Sequence, residues 1–268
     1  MAKKPTSPIK VTAHLVDGRI NSADGIIMLD AILYHAWFYK HAPHVLEGLG
    51  SGTVPGDGHI GLPLRQLPGN RYAASRAVYT EEGQSIEHWN KRPNFFTAGA
   101  EQYLGMDKGI ISSSIGLYRA YRMPQVIRHI KDGLLTFWAM GHADEVLELL
   151  ETIPAVGKKP AMGWGVVDKW TVEDCDEDFS LFHPDHGLMR PTPVEDMQLS
   201  GYPIMQYAVR PPYWKQVNQR LCYVPFNAPK PPRSGVSGSE RASYGCQRSA
   251  GRACALRSSA TAIAGEQP

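Results

Sequence analysis

Segment 156–167 reads V-G-K-K-P-A-M-G-W-G-V-V and holds the residue types best suited to chemistry on an anion. Gly157, Gly163 and Gly165 allow the backbone to approach a ligand closely. Lys158 and Lys159 add positive charge beside N–H groups expected to be exposed. Phosphate oxygens are the ligand such a loop suits. A glycine-rich turn whose lysines only face water has the same composition, and both readings stand at this level. Gly157-Lys158-Lys159 lacks the upstream Gly and the following Ser/Thr of a nucleotide P-loop. Gly50-Ser51-Gly52 does not extend to a dinucleotide fingerprint, so no cofactor is expected.

Metal chemistry has weaker support. His183 and His186 stand at i, i+3 beside Asp185 in a Pro-containing loop, without a defined third ligand, and a solvated turn is expected there. The acidic run Glu173, Asp174, Asp176, Glu177 and Asp178 also reads as a solvated turn rather than a cation site. Four cysteines, two of them (Cys246 and Cys254) in a low-complexity stretch, suggest neither a disulfide framework nor a CxxC zinc site.

Charge is unevenly distributed along the 268 residues despite a net +2. Residues 65–131 carry ten Lys/Arg against five acids, and residues 141–187 carry eleven acids against three lysines. This partition points to one face for a polyanion and another that avoids it, although two ordinary solvated surfaces would also produce it. The longest apolar stretch, 25–38, is interrupted by Asp30 and His35 and is too short to cross a bilayer. The N-terminus lacks the apolar core of a secretory signal, so a cytoplasmic protein is expected.

The elements that must hold the loop follow from periodicity. Ile9, Val11, Ala13 and Leu15 alternate as in a half-buried strand. Met28, Leu29, Ile32, Leu33, Ala36 and Trp37 recur at helical spacing until Pro43, with Ser22 or Asp24 as the cap. A strand is expected at 71–79 with a hairpin partner at 85–90. An irregular projection should follow, and further strands are expected at 117–123 and 125–130. The β-prone run 134–139 predicts a central strand, in which Trp138 belongs to the core, as does Trp170 in its own strand. Asp144 and Glu145 open a helix whose buried stripe is Val146, Leu149, Leu150 and Ile153. Residues 164–172 form the last strand. The order strand, helix, strand, insertion, strand, helix, strand is that of an α+β, ferredoxin-like (RRM-like) domain over 1–173, with an insertion at about 80–116. An extension occupies 174–228. The Ser/Gly/Ala/Arg-rich stretch 229–268 should be disordered.

A Gly-rich loop before the final strand of such a domain resembles the RAMP superfamily of CRISPR-associated proteins. The run Gly163 to Glu173, with Asp178, Phe179, Ser180 and Leu181, then Leu188, Met189, Arg190 and Pro191, is similar to the Cas-five-type subunit of type IV CRISPR effectors. Arg210, Pro211, Pro212, Tyr213 and Trp214, and the helix residues Leu29 to Leu33, fit the same family. The resemblance covers roughly residues 8–226.

It implies a non-catalytic RNA-binding subunit of an antiviral and antiplasmid ribonucleoprotein. Such a subunit would cap the five-prime handle of the crRNA beside Cas-seven-type backbone subunits and a large subunit. Contact with target DNA is left open. The insertion would correspond to the family's thumb. Lys158, Lys159, Arg119 and Arg122 would meet handle phosphates, since such cations supply most of the affinity for nucleic acid. Arg71, Arg76, Lys91, Arg92 and Tyr121 complete the expected RNA contacts, with bases stacking on Tyr72, Trp89, Tyr118 or Tyr121. Some RAMP relatives cut RNA without a metal. An endoribonuclease acting on precursor RNA is therefore the alternative, with His14, His88, His129 and Lys158 as its candidates, although no spacing among them specifies a catalytic set.

Overall fold

A computed structural model describes residues 5–43, 60–91 and 121–225. The chain divides into units Met1–Lys230 and Pro231–Pro268, and every described residue lies in the first. Expectations for 92–120 and for the tail from 226 fall outside the described residues.

The first strand, β1 (Ser7–Leu15), alternates as its sequence predicts, with Ile9, Val11 and Ala13 fully buried. A Gly18 turn leads into β2 (Arg19–Asn21). Helix α1 (Leu29–His41) follows, burying Leu29, Leu33, Ala36 and Phe38. Its cap differs from expectation: Met28 occupies that position without a side-chain bond. Ser22 Oγ and Asp24 Oδ1 instead accept from the N–H groups of Gly25 and Ile26, shaping the turn that precedes the helix.

Two short strands, β3 (Gln66–Leu67) and β4 (Arg71–Tyr72), pair with each other. The expected strand 71–79 is otherwise reduced to single bridges, Ala74 to Ala139, Arg76 to Met28 and Val78 to Thr136. Its expected partner lies in the long strand β5 (Glu81–Lys91), which pairs with β6 (Tyr121–Ile130) instead. Strand β6 runs unbroken through Pro124, where two separate strands were expected. A turn at 131–133 leads to β7 (Leu134–Gly141), then α2 (Ala143–Leu150) and β8 (Val167–Asp174).

Besides the β3–β4 pair, the antiparallel sheets of the described residues fall into three groups. In the first, β1 lies between β7 and β8, antiparallel to both, and the bridges to 74 and 78 occupy the far edge of β7. Helices α1 and α2 pack on each other, and with this sheet they enclose a core that includes Leu33, Phe137, Val146, Leu150 and Trp170. Trp138 is buried as well. In the second, β6 lies between β2 and β5. The C-terminal part supplies the third: β9 (Phe182–His183) pairs with β10 (Gly187–Leu188), and β13 (Gln219–Tyr223) lies between β11 (Thr192–Pro193) and β12 (Ile204–Ala208). The described part is thus a mixed α/β unit of mostly antiparallel strands. None of its helices is long and apolar enough to cross a membrane.

Candidate nucleic-acid interface

The loop between α2 and β8 closes at its base by the Ala155–Val166 bridge and by Val156 N–H donating to the Gly165 carbonyl at 2.8 Å. Gly165 has φ +70°, and a Cβ there would stand 1.9 Å from the Val156 carbonyl oxygen, so only glycine closes the loop this tightly. The loop then seats on β2. Lys158 N–H donates to the Asn21 carbonyl (3.0 Å) and Gly165 N–H to that of Arg19 (2.7 Å). Gly157 (φ +94°) permits this seating, because a Cβ would come within 2.9 Å of Asn21 O and Ile20 Cγ1.

Donation to carbonyls also accounts for the N–H groups of Met162, Gly163 and Val167. Those backbone donors are therefore not offered to an anion, which narrows the expectation of exposed N–H groups to the others of the loop. What the loop presents is its two exposed lysine side chains, Lys159 being set in a left-handed conformation at φ +58°.

Sheet β2–β6–β5 brings a second set of residues to the loop. Lys159 Nζ stands 3.6 Å from the centroid of the Trp89 ring. Tyr121 meets Trp89 edge-on, with centroids 5.4 Å apart. A cation over an exposed indole stabilises by about 0.5–1 kcal/mol, whereas a base stacked on an aromatic ring contributes roughly 1–3 kcal/mol. Strand alternation puts Trp89, Tyr121 and half-exposed Met123 on one face of the ribbon, and Arg122, Asn90, His88 and Pro124 on the other. Arg122 is exposed but does not share the face of Tyr121.

The ribbon is held by its far end. Arg128 donates to the carbonyls of Ser22 and Ala23 and pairs with Glu81 at 2.6 Å, while Asn21 Nδ2 donates to Gln125 Oε1 at 2.8 Å. Lys91 ends β5 by its backbone, its side chain lying outside the described residues, as do Arg92, Arg119 and Tyr118.

The remaining expected contacts are taken up inside the protein. Arg76 is buried at 3% exposure, its Nη1 donates to the Ala77 carbonyl, and burial lowers its pKa. It presents no surface to a phosphate. Arg71 donates to the Pro68 carbonyl and pairs with Asp196 at 2.5 Å. Tyr72 is buried with its hydroxyl donating to the Ile60 carbonyl, so it is no stacking surface.

The three candidate histidines, His14, His88 and His129, do not converge. His14 lies on central β1 opposite Leu134 and Lys169, and His88 and His129 project from opposite faces of their sheet. His129 Nε2 hydrogen-bonds Ser85 Oγ at 3.0 Å. Pro184, Asp185 and His186 form the exposed turn expected there, and the rings of His183 and His186, with centroids 4.6 Å apart, also pack beside Trp138 and Phe179. No metal-ligating cluster occurs among the described residues.

One constellation was not foreseen. Asp30, fully buried on α1, faces Arg190 at 3.5 Å and accepts from Tyr213 Oη at 2.8 Å. Arg190 also donates to the carbonyls of Tyr72, Ala74 (3.2 Å) and Val209 (2.9 Å). It thereby joins α1, the segment beside β7 and the C-terminal part. Burial raises the pKa of Asp30, opposed by the Arg190 charge and the Tyr213 hydroxyl. Tyr213 is raised well above its ordinary value by burial and by Asp30. The signal in sequence was Asp30 itself, an acid inside an apolar helical run.

No curated protein matches the chain. Among solved structures it is similar to the crystal structure of the Csm3–Csm4 subcomplex in the type III-A CRISPR–Cas interference complex. The identity is 9%, with 81% of this chain and 90% of that chain covered and a TM-score of 0.37. The family described as CRISPR type IV associated protein Csf3 matches residues 72–225, more than half of the 268 residues and both partners of the Lys159–Trp89 contact. The type IV CRISPR resemblance carried by the Gly-rich loop and the Arg-Pro-Pro-Tyr-Trp segment thus rests on a family-wide match, and the chain belongs to the Csf3 family of CRISPR type IV associated proteins.

Proposed function

We propose that this chain is the guide-RNA-binding, Cas-five-type RAMP subunit of a type IV CRISPR ribonucleoprotein. It caps the five-prime handle of the crRNA and contacts Cas-seven-type backbone subunits and a large subunit, in a cytoplasmic particle directed against plasmids or phage. Family membership supports the type IV assignment. The ferredoxin-like reading is supported by the antiparallel order β8, β1, β7 and then the segment at 74–78, with α1 and α2 in the two crossovers.

The observation that carries the RNA reading is the meeting of loop and hairpin. Lys159 reaches Trp89 from a different element, so Lys158 and Lys159 share a surface with the aromatic end of a ribbon drawn from the basic stretch. Cations neutralising phosphates supply the affinity, and the guide's own base pairing would read sequence. The role is positional: fixing one end of the guide sets the register for its neighbours.

Handle RNA binding by the Lys158→Ala/Lys159→Ala double variant, measured over several salt concentrations, tests this. Loss of two phosphate contacts should lower affinity and reduce the magnitude of the log–log salt slope by about 1.4. Unchanged affinity and slope would remove the loop from the interface. The subunit is proposed to be non-catalytic, in keeping with the separation of His14, His88 and His129. Incubation with precursor RNA should leave the repeat uncut, and metal-independent cleavage at a defined position would overturn that proposal.

A further inference from the structure

We infer that Trp89 is the platform for one unpaired base of the bound strand, and that this base takes the ring face now under Lys159. The inference rests on the RNA reading above. It deepens that reading by assigning one subsite, its ligand class and an exchange between two of its own residues.

The contacts single out Trp89 among the described aromatic residues of the basic stretch. Tyr72 is buried, Tyr79 donates its hydroxyl to the Gly25 carbonyl, Tyr121 is inclined at 61° to Trp89 rather than stacked on it, and the surface a base needs is a face of the Trp89 ring. That face carries Lys159 Nζ, the end of a flexible side chain that can move aside without disturbing the loop backbone. Stacking is the stronger of the two interactions with the ring. A displaced ammonium next to a nucleotide meets the phosphate of that same nucleotide. The base and Lys159 therefore exchange partners: indole–cation becomes indole–base, and the cation becomes a phosphate contact. Any base can stack, so the subsite recognises an unstacked nucleotide rather than a sequence, with purines favoured by their larger face.

The test uses the full chain and a single-stranded handle RNA, together with a set of the same RNA in which each nucleotide in turn lacks its base. Trp89→Ala should weaken binding of the parent RNA by about 5- to 150-fold, and Trp89→Phe by much less, since a ring remains. One abasic position should weaken the wild type but leave Trp89→Ala unaffected. In the wild type that abasic RNA should also show a log–log salt slope smaller in magnitude by about 0.7 than the parent RNA, because Lys159 then stays over the ring and off the phosphate, whereas in Lys159→Ala the two RNAs should share one slope.

Equal abasic penalties in wild type and Trp89→Ala at every position would overturn the platform. Equal salt slopes for parent and abasic RNA in the wild type would overturn the exchange. Salt-dependent RNA binding that persists with no abasic coupling refutes this inference alone. Absence of salt-dependent binding in all variants refutes it together with the RNA reading.

Discussion

Replacing Arg190 by Met should destabilise the protein far more than any loss of surface charge. Its guanidinium is 2% exposed, and the Asp30 side chain it faces is fully buried. Methionine fills similar volume but strands the Asp30 carboxylate with Tyr213 as its remaining side-chain partner, and it removes the guanidinium donors from the carbonyls of Tyr72, Ala74 and Val209, of which Tyr72 keeps the Ala74 N–H. Removing one partner of a buried ion pair costs about 3–5 kcal/mol. For a unit of this size each kcal/mol lowers Tm by roughly 2–4 °C, so the variant should melt about 6–20 °C below wild type at pH 7.

The loss should depend on pH in a defined direction. Burial raises the folded-state pKa of Asp30 above its ordinary value of 3.8, and removing Arg190 removes the leading opposing influence. A carboxyl with a raised folded pKa favours the folded state below its unfolded pKa, and that contribution is lost as pH rises through the folded pKa. The deficit of Arg190→Met relative to wild type should therefore shrink as pH is lowered from 7 toward 4. Thermal unfolding of both proteins across that range is the assay, with Asp30→Asn/Arg190→Met as the variant whose deficit should be smaller at pH 7 and should not shrink as pH falls. A deficit below about 1 kcal/mol at pH 7, or one of equal size at both ends, would refute the reasoning that Arg190 holds a buried charge.

Gly165→Ala should cost about 2–5 kcal/mol, from left-handed strain and collision with the Val156 carbonyl, whereas Gly163→Ala, whose Cβ would enter open space, should cost only about 1–2 kcal/mol. Thermal unfolding separates the two, and similar losses would mean that the loop is not closed as described. Arg71→Ala should lower stability by at most about 1 kcal/mol through loss of the partly exposed pair with Asp196, and should leave the affinity and salt slope for handle RNA unchanged. A flatter slope would return Arg71 to the interface.

Elements with a strong local period were legible in advance. Alternation in β1, the apolar run of β7 and the stripe of α2 each depend on residues a few positions apart, and burial follows that spacing. The hairpin was not legible, because the register of β5 is set by β6, which lies thirty to fifty residues further along the chain. Glycine and lysine content marked 156–167 as a loop that could meet phosphate. It could not show that β2 would take two of its N–H groups and leave the lysine side chains as what the loop offers.

The amino-acid sequence alone determined the succession of the main strands and helices, the segregation of charge and the family resemblance, all of which are properties of order and composition along the chain. Tertiary structure alone decided which cations face outward. Arg71, Arg76, Lys158 and Arg190 look alike in a sequence, yet folding buries Arg76 and Arg190, pairs Arg71 with Asp196 and leaves Lys158 exposed. The physical reason is that the cost of burying a charge, and the partners that offset it, depend on groups brought together from distant parts of the chain.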